Sequence, residues 1–275
     1  MTKTKPPLYE LAVVGGGKMG EALIGGLLAG SWCSPSAMLV VEPLVDRRED
    51  LERLFPGVVV VSAHPKDLRA RGALIAVKPN HVTDVCRGIA GSVDRVLSIA
   101  AGVTTATIEA ALREGAPGRS IPVIRSMPNT PALVNCGASA IAGGATATDD
   151  DLAWAAGILS AVGVVERVDE RLLDSVTGVS GSGPAYVFLV AEAMIEGGVL
   201  AGLPRTVATT LVAQTIAGAG LMLRDSGTDA ATLRGNVTSP GGTTAAGLRI
   251  LEQRAVRSAF IDAVSAATER SRQLG

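Results

Sequence analysis

Side chains that carry protons at neutral pH are scarce in this chain of 275 residues. It contains only two histidines, His64 and His81, and no lysine follows Lys78. Dehydrogenases that reduce a ketone usually hold a histidine or lysine beside the carbonyl to handle its proton. The chain from Asp169 onward has neither, which excludes histidine or lysine acid catalysis from that part. We expect both histidines to be surface or loop residues.

Cysteine, aromatic residues and net charge are also low. Cys33, Cys86 and Cys136 are widely spaced, odd in number and form no C-x-x-C pair. They predict buried, reduced thiols and argue against a disulfide scaffold or a zinc site, so we expect no metal. The formal net charge is −1, without a basic block. This argues against nucleic acid or an anionic membrane surface as a partner.

The sequence predicts neither a leader peptide nor a membrane span. Residues 1–10 carry lysines and prolines but lack the apolar core of a signal peptide, and no later run of 18 apolar residues is free of charges or glycines. We expect a soluble, cytoplasmic protein. The length and the apolar content of 47% favour two domains with a sizeable core.

The first apolar run leads into a glycine-rich loop. Leu11–Val14 is followed by the loop and then by a helical pattern from Glu21 to Ala29. Strand, G-x-G-x-x-G loop and helix in this order form the dinucleotide-binding fingerprint. Gly15 permits the tight turn, Gly17 lets a pyrophosphate approach the backbone, and Gly20 lets helix and strand pack closely.

The residues after the second predicted strand, Met38–Val41, give opposite indications about the cofactor. Glu42 stands at its end, where an acid usually binds the ribose hydroxyls of NAD. Arg47 and Arg48 follow on the next helix, and a nearby arginine suits the extra phosphate of NADP. A solvated, charged helix start is an equal alternative for these arginines. The sequence therefore leaves NADH and NADPH open.

Strands and helices alternate as far as Val168. This alternation predicts a parallel, doubly wound sheet that binds its ligand beyond the carboxyl ends of the strands. Three segments lie at those ends, and together they indicate a pocket, although each alone can be a simple loop. They are Val77-Lys78-Pro79, Ala100-Ala101-Gly102 and Met127–Pro131. The further strands are predicted at Val58–Val61, Leu74–Val77, Val96–Ile99, Ile121–Ile124, Ala138–Ala142 and Val164–Val168, with a helix over Asp149–Val162.

From Asp169 onward the pattern is helical, so we place the domain boundary there, with residues 1–168 as the dinucleotide-binding domain and 169–275 as the helical domain. The helices are apolar on more than one face, which indicates a bundle partly buried against a second subunit. Ser180 or Ser182 is expected to cap the long helix near Pro184. The helices are predicted over Glu170–Val176, Gly183–Leu200, Thr206–Leu223, Asp229–Leu233 and Thr244–Gln273.

The stretch Val237–Thr244 predicts a small anion-binding turn. Pro240 and two glycines let the backbone turn tightly, and the following threonines can cap a helix whose free N–H groups face outward. Such a helix start attracts carboxylate or phosphate, although an ordinary turn and cap is an equal alternative. A C=N bond is a hydride acceptor that needs no strong protein acid, because its nitrogen takes a proton from water or a hydroxyl. A carboxylated imine is therefore a coherent substrate.

The chain resembles the pyrroline-5-carboxylate reductases nearly from end to end. The resemblance implies a Rossmann-type domain followed by an all-α dimerisation domain. It also implies hydride transfer from NADPH or NADH to 1-pyrroline-5-carboxylate, which yields L-proline in the last step of proline biosynthesis. Dimers of this family often assemble into larger rings, and a decamer of five dimers is one such assembly. The segments that carry the resemblance are Gly15–Gly20, Ala76–Pro79, Ser98–Gly102, Arg125–Val134, Thr177–Tyr186 and Val237–Thr244.

Site residues follow from the resemblance by position. Thr244 would hydrogen-bond the ring nitrogen as the catalytic contact. The substrate carboxylate would bind Ser239, Gly242 and Thr243, largely through backbone N–H groups and the Ser239 hydroxyl. Glu42 departs from the small hydroxyl residue of many NADPH-preferring members. The remaining substrate contacts are Asn236 and Val237, and the cofactor contacts are Gly15, Gly17, Lys18, Met19, Gly20, Ala76, Val77, Lys78, Pro79, Ile99, Ala100 and Ala101. The residues after the second strand add Glu42 and Arg47 as cofactor contacts, independently of the resemblance.

Two other functions stay open at this point. A 3-hydroxyacid dehydrogenase has the same two-domain plan, but such enzymes share an interdomain lysine that this chain lacks. A non-catalytic nucleotide-binding protein would use its helical half only for assembly, and the predicted anion-binding turn argues against it.

Overall fold

The computed structural model describes residues 8–274. The predicted lack of a leader peptide concerns residues 1–10, of which 1–7 lie outside the described part. The described residues divide into two units: the first holds the chain up to Gly181 together with its end from Ala267 onward, and the second holds Ser182–Ala266.

An eight-stranded sheet forms the centre of the first unit. Its order is β10-β9-β8-β7-β6-β2-β3-β4, and β1 pairs with β5 in a separate two-stranded sheet. All neighbouring strands are parallel except β8 and β9, which are antiparallel. The predicted parallel sheet is confirmed, with one antiparallel pair added. The strands are β1 (Leu8–Tyr9), β2 (Leu11–Val14), β3 (Met38–Val41), β4 (Val59–Val61), β5 (Arg69–Ala70), β6 (Ala73–Ile75), β7 (Val96–Ser98), β8 (Val123–Met127), β9 (Gly137–Gly143) and β10 (Gly163–Arg167).

Helices cover both faces of this sheet. One buried cluster joins β6 and β7 to Cys86 and Ile108, and a second cluster on the opposite face contains Leu23 and Ile158. Strands that are buried on both faces need continuous apolar runs, which is why Met38–Val41 has no polar residue. The helices are α1 (Lys18–Ala29), α2 (Val45–Leu54), α3 (Val82–Ile89), α4 (Thr105–Gly115), α5 (Asp149–Leu159) and α6 (Leu173–Val176).

Side-chain caps fix the starts of two of these helices. The Thr104 hydroxyl accepts the N–H of Thr107 at the start of α4. Thr148 and Asp151 form a reciprocal capping box at the start of α5. Each cap satisfies backbone N–H groups that have no partner within the helix.

The segment that follows β10 packs on the sheet. Leu173 is fully buried against Ala140 of β9, so the contacts of the chain divide at Gly181 rather than where helical structure begins. A boundary after Val168 marks the change in secondary structure and remains our proposal for the domain organisation.

The second unit is helical. Its helices are α7 (Gly183–Leu200), α8 (Arg205–Asp225), α9 (Ala230–Asn236), α10 (Thr243–Gln253) and most of α11 (Val256–Leu274). The helix predicted over Gly183–Leu200 is confirmed. The single helix predicted over Thr244–Gln273 is wrong, because Ala255 adopts a left-handed φ of 54° and separates α10 from α11.

The predicted serine cap of α7 is also wrong. Ser182 precedes the helix but makes no side-chain capping hydrogen bond, and its own backbone is in the right-handed helical region. Ser180 lies within a π-helix over Thr177–Gly181 that leads into α7. A helix that continues from a preceding turn leaves no free start for a serine to cap.

The apolar side chains of the second unit are largely exposed in the single chain. Phe188 is 67%, Leu200 91% and Ile261 61% exposed. Two helical stretches, Glu170–Leu200 and Arg205–Asp225, are long and apolar enough to cross a membrane by length and composition. Core helices of soluble proteins pass the same test.

The three cysteines are free, and the predicted burial is confirmed for Cys86. Burial raises the pKa of the Cys86 thiol to about 12. Cys33 is partly buried, and burial raises the pKa of its thiol as well. Cys136 is exposed, because it follows the short helical turn Thr130–Val134 at the surface, so the prediction of burial is wrong for this residue.

Ser126 of β8 provides a test of the core. Its side chain is 1% exposed, and its hydroxyl has no hydrogen-bond partner among the described residues. A buried hydroxyl without a partner loses its hydration and gains nothing in return. We expect Ser126→Ala to raise the free energy of unfolding by about 1 kcal/mol, measured by urea denaturation at matched protein concentration. Ser120→Ala, at an exposed serine, is the control, and an unchanged or lowered stability of Ser126→Ala would contradict the expectation.

Candidate cofactor and substrate sites

Backbone segments approach closely around the glycine-rich loop. Gly15 has φ 106°, and a Cβ atom there would lie 2.5 Å from the Ala76 carbonyl oxygen. A Cβ at Gly20 would lie 2.4 Å from the Gly15 carbonyl oxygen. Only glycine fits at either position. The predicted tight turn at Gly15 and the close packing at Gly20 are therefore confirmed.

Gly17 is different, because its surroundings are open. It precedes α1, no side chain caps the helix there, and an added Cβ would meet nothing within 4 Å. The first helical hydrogen bond runs from the Glu21 N–H to the Gly17 carbonyl, so the N–H groups of Lys18, Met19 and Gly20 have no partner from an earlier helical turn. This open helix start fits the pyrophosphate of a dinucleotide. Lys18 is exposed and Met19 half-buried.

The predicted strand-end segments start side by side. The Ala76 N–H donates to Val14 at 2.8 Å, and the Ile99 N–H donates to Ile75 at 3.1 Å. The segments after β6, β7 and β8 therefore leave the same edge of the sheet as the glycine-rich loop, as predicted. Among the assigned cofactor contacts at this edge, Lys78, Pro79 and Ala101 are exposed, Ala76, Val77 and Ile99 are half-buried, and Ala100 is buried.

Glu42 and Arg47 bind the glycine-rich loop itself. Glu42 follows β3, and its carboxylate accepts the N–H of Gly16 at 2.9 Å. Arg47 of α2 donates from Nε to the Gly16 carbonyl oxygen at 2.6 Å and pairs with Glu21 of α1. Side chains thus bind both the N–H and the carbonyl oxygen of Gly16. Direct contact of either residue with a cofactor remains a prediction.

Asn129 is a structural link that the sequence did not single out. Its side-chain amide donates to the Ser180 carbonyl at 3.1 Å, and its Oδ1 accepts the Ala138 N–H at 2.8 Å. It thereby joins the strand-end segment after β8 to the π-helix, a form that is frequent at functional sites. The only signal was its place in the Pro-Asn-Thr-Pro motif, because its partners are distant in sequence.

A second link, also missed, involves Glu170. Its carboxylate accepts the N–H and the hydroxyl of Thr105, both at 2.7 Å, and pairs with Arg125 at 3.3 Å. Arg125 is buried, and a buried guanidinium needs such a partner. The ion pair holds β8 to the segment that precedes α6.

In the second unit, the stretch Val237–Thr244 forms a tight turn at a helix start, as predicted. Gly241 has φ 69°, and the Gly242 N–H donates to the Ser239 carbonyl at 3.0 Å. Gly242 precedes α10, and no side chain caps the helix. The side-chain cap that an ordinary capped turn requires is therefore absent from the described residues at this helix start. The N–H groups of the first helical turn are available to an anion.

The assigned substrate residues are gathered on this turn. A Cβ at Gly242 would lie 3.1 Å from the Ser239 hydroxyl, so a side chain there would displace that hydroxyl. Thr244 is half-buried in the first turn of α10. Asn236, Val237 and Thr243 are exposed. Neither this turn nor any other described part of the chain contains three or more His, Cys, Asp or Glu side chains placed to hold a metal ion.

The similarity of this chain to known proteins extends over both of its units. The family model for pyrroline-5-carboxylate reductase dimerisation matches residues 170–274, and the model for coenzyme F420-dependent NADP oxidoreductase matches residues 10–102. A pyrroline-5-carboxylate reductase of Synechocystis is 44% identical over 97% of this chain and 98% of its own. The structure of the Coxiella burnetii reductase has a TM-score of 0.89 at 33% identity, covering 97% and 98% of the two chains. That of the Plasmodium falciparum reductase with NADP bound has 0.82 at 29% identity, covering 97% and 98%.

Gly17 and Gly20 predict separable effects on binding and stability. Gly17→Ala should change the free energy of unfolding by no more than about 1 kcal/mol but weaken dinucleotide binding at least tenfold, since its methyl group occupies the open helix start. Gly20→Ala should lower the free energy of unfolding by about 2 kcal/mol or more. Urea denaturation and calorimetric titration measure the two quantities. Unchanged binding by Gly17→Ala would contradict the pyrophosphate assignment.

Proposed function

The chain belongs to the pyrroline-5-carboxylate reductase family, and we propose that it reduces 1-pyrroline-5-carboxylate to L-proline with a hydride from NADH or NADPH, the last step of proline biosynthesis. The observation that carries this proposal is the uncapped start of α10 after the Ser239–Gly242 turn. It supplies N–H donors for a carboxylate in a helical unit that contains no histidine and no lysine. An imine is an acceptor that such a site can serve without a strong acid.

Each residue of the turn has a distinct proposed role. The first-turn N–H groups of α10, beginning at Thr243, hold the substrate carboxylate together with the Ser239 hydroxyl. Gly242 leaves room for the carboxylate, while its own N–H closes the turn onto the Ser239 carbonyl. The Thr244 hydroxyl hydrogen-bonds the ring nitrogen, which becomes an iminium on protonation. When bound, NAD(P)H supplies the hydride that reduces the C=N carbon. The protein contributes mainly orientation and electrostatic stabilisation, and no covalent intermediate is required.

We also propose a dimeric assembly and a cytoplasmic location for this protein. The chain associates as a homodimer through its helical part, which the dimerisation model covers and whose apolar side chains are exposed in the single chain. A ring of five dimers is the proposed larger assembly. Three free cysteines are compatible with a reducing, cytoplasmic location.

The activity is tested by the loss of NAD(P)H absorbance when the purified protein is mixed with 1-pyrroline-5-carboxylate. We expect oxidation of the reduced cofactor and formation of L-proline, identified by mass spectrometry. A 3-hydroxyacid with NAD⁺ or NADP⁺ serves as the comparison, and turnover there alone would favour the dehydrogenase alternative. Nucleotide binding without any turnover would favour a non-catalytic protein.

The role of Thr244 is tested by removing its hydroxyl. We expect Thr244→Ala to lower kcat by roughly tenfold to hundredfold, since a hydrogen bond to a charged group contributes about 1.5–3 kcal/mol. Thr244→Ser retains the hydroxyl and should recover most of the rate. Thr209→Ala, on exposed α8 surface, is the matched control. Equal rates for Thr244→Ala and the unmodified enzyme would remove the assigned role.

A further inference from the structure

The carboxylate of Glu42 is fixed at the edge where β3 ends. The residue is 7% exposed, and its two oxygens accept the N–H groups of Gly16 at 2.9 Å and Leu44 at 3.0 Å. A carboxylate offers about four acceptor positions, so two more donors can still be accommodated. Ribose hydroxyl groups are such donors, whereas a phosphate at the 2′ position brings negative charge towards a carboxylate that cannot move away.

Arg47 is committed to contacts within the protein. Its guanidinium donates to the Gly16 carbonyl at 2.6 Å, pairs with Glu21, and lies 3.9 Å from Asp50. Its side chain is 17% exposed. The carboxylates of Glu21 and Asp50 therefore balance the charge of Arg47. Because Arg47 binds the backbone of Gly16, it supports a loop that NADH and NADPH would both contact.

Arg48 also holds backbone rather than reaching outward. Its Nη1 donates to the carbonyl oxygens of Glu42 at 3.0 Å and Pro43 at 2.8 Å. Beside Pro43 lies a cavity of about 320 Å³ that is also lined by Ser62, His64 and His81. Neither lysine nor arginine contributes to its lining. Among the described residues, the surroundings of Glu42 thus lack the outward-facing arginine that recognition of an NADP phosphate commonly uses.

We infer that this chain selects NADH over NADPH, that Glu42 is the specificity-determining residue, and that Arg47 is a positioning residue for the glycine-rich loop. This inference rests on the proposed reduction with a nicotinamide cofactor and names which cofactor it uses. The two arginines, which from sequence alone favour NADPH, act instead on the backbone at Gly16 and at the end of β3.

The test is equilibrium binding, which requires no imine and no turnover. Isothermal titration of the full-length protein with NADH and with NADPH should give a Kd at least tenfold higher for NADPH. Glu42→Ser should reduce this ratio at least fivefold. Glu42→Gln, which keeps the shape of the side chain, should reduce it in the same direction if the serine variant folds poorly. Glu49→Gln, an exposed acid on α2, should leave the ratio unchanged.

Arg47→Gln separates loop support from phosphate recognition. We expect it to raise the Kd of NADH and NADPH by similar factors and to leave their ratio within about twofold, because both cofactors share the pyrophosphate. Arg53→Gln, an exposed arginine on the same helix, is the matched control. Equal or tighter binding of NADPH by the unmodified protein, or a loss confined to NADPH in Arg47→Gln, would overturn the inference and leave the proposed reduction intact. Failure to bind either nucleotide would overturn both.

Discussion

Close backbone packing at Gly15 is the constraint on which the glycine-rich loop of the first unit depends. The carbonyl oxygens of Gly15 and Ala76 occupy positions where a Cβ atom at Gly20 or Gly15 would have to stand, so α1 reaches the sheet edge only because both residues are glycines. That approach brings the peptide of Gly16 within reach of Glu42 and Arg47. Side chains from the residue after β3 and from α2 consequently hold the loop without any ligand, and such preorganisation favours anion binding.

The chemistry that we propose for this protein rests on backbone groups more than on ionisable side chains. Two helices, α1 and α10, begin at glycines without a side-chain cap, whereas α4 and α5 begin with threonine caps. Other described helices, such as α2, α3 and α8, also begin without a side-chain cap, so it is the glycine at the N-cap that sets α1 and α10 apart. Their fixed dipoles suit a cofactor pyrophosphate and a substrate carboxylate, and an imine then needs orientation more than it needs a strong acid.

Sequence reasoning succeeded where the signal is local. The bounds of β3 and α7 follow from apolar runs, one of which stops before Glu42 and the other at Leu200. The roles of Gly15 and Gly20 follow from their spacing in the G-x-G-x-x-G motif. It failed where partners are distant in sequence: Arg47 meets Gly16 across 31 positions and Asn129 meets Ser180 across 51. The break between α10 and α11 at Ala255 could not be predicted from the sequence, because alanine favours helices. The surrounding structure imposes the left-handed φ of this residue. Residues that support a site through contacts distant in sequence, such as Arg47 and Asn129, were thus harder to predict than the residues of the site motifs themselves.

The exposed helices of the second unit link the integrity of the enzyme to its concentration. Ala208 and Val212 are its only buried apolar side chains in the described single chain. One copy therefore gains little hydrophobic stabilisation to offset the conformational entropy lost when this unit becomes ordered. Folding of this part and association of two chains then become coupled steps of one equilibrium. We therefore expect dilution to act on this enzyme as a mild denaturant of its helical unit.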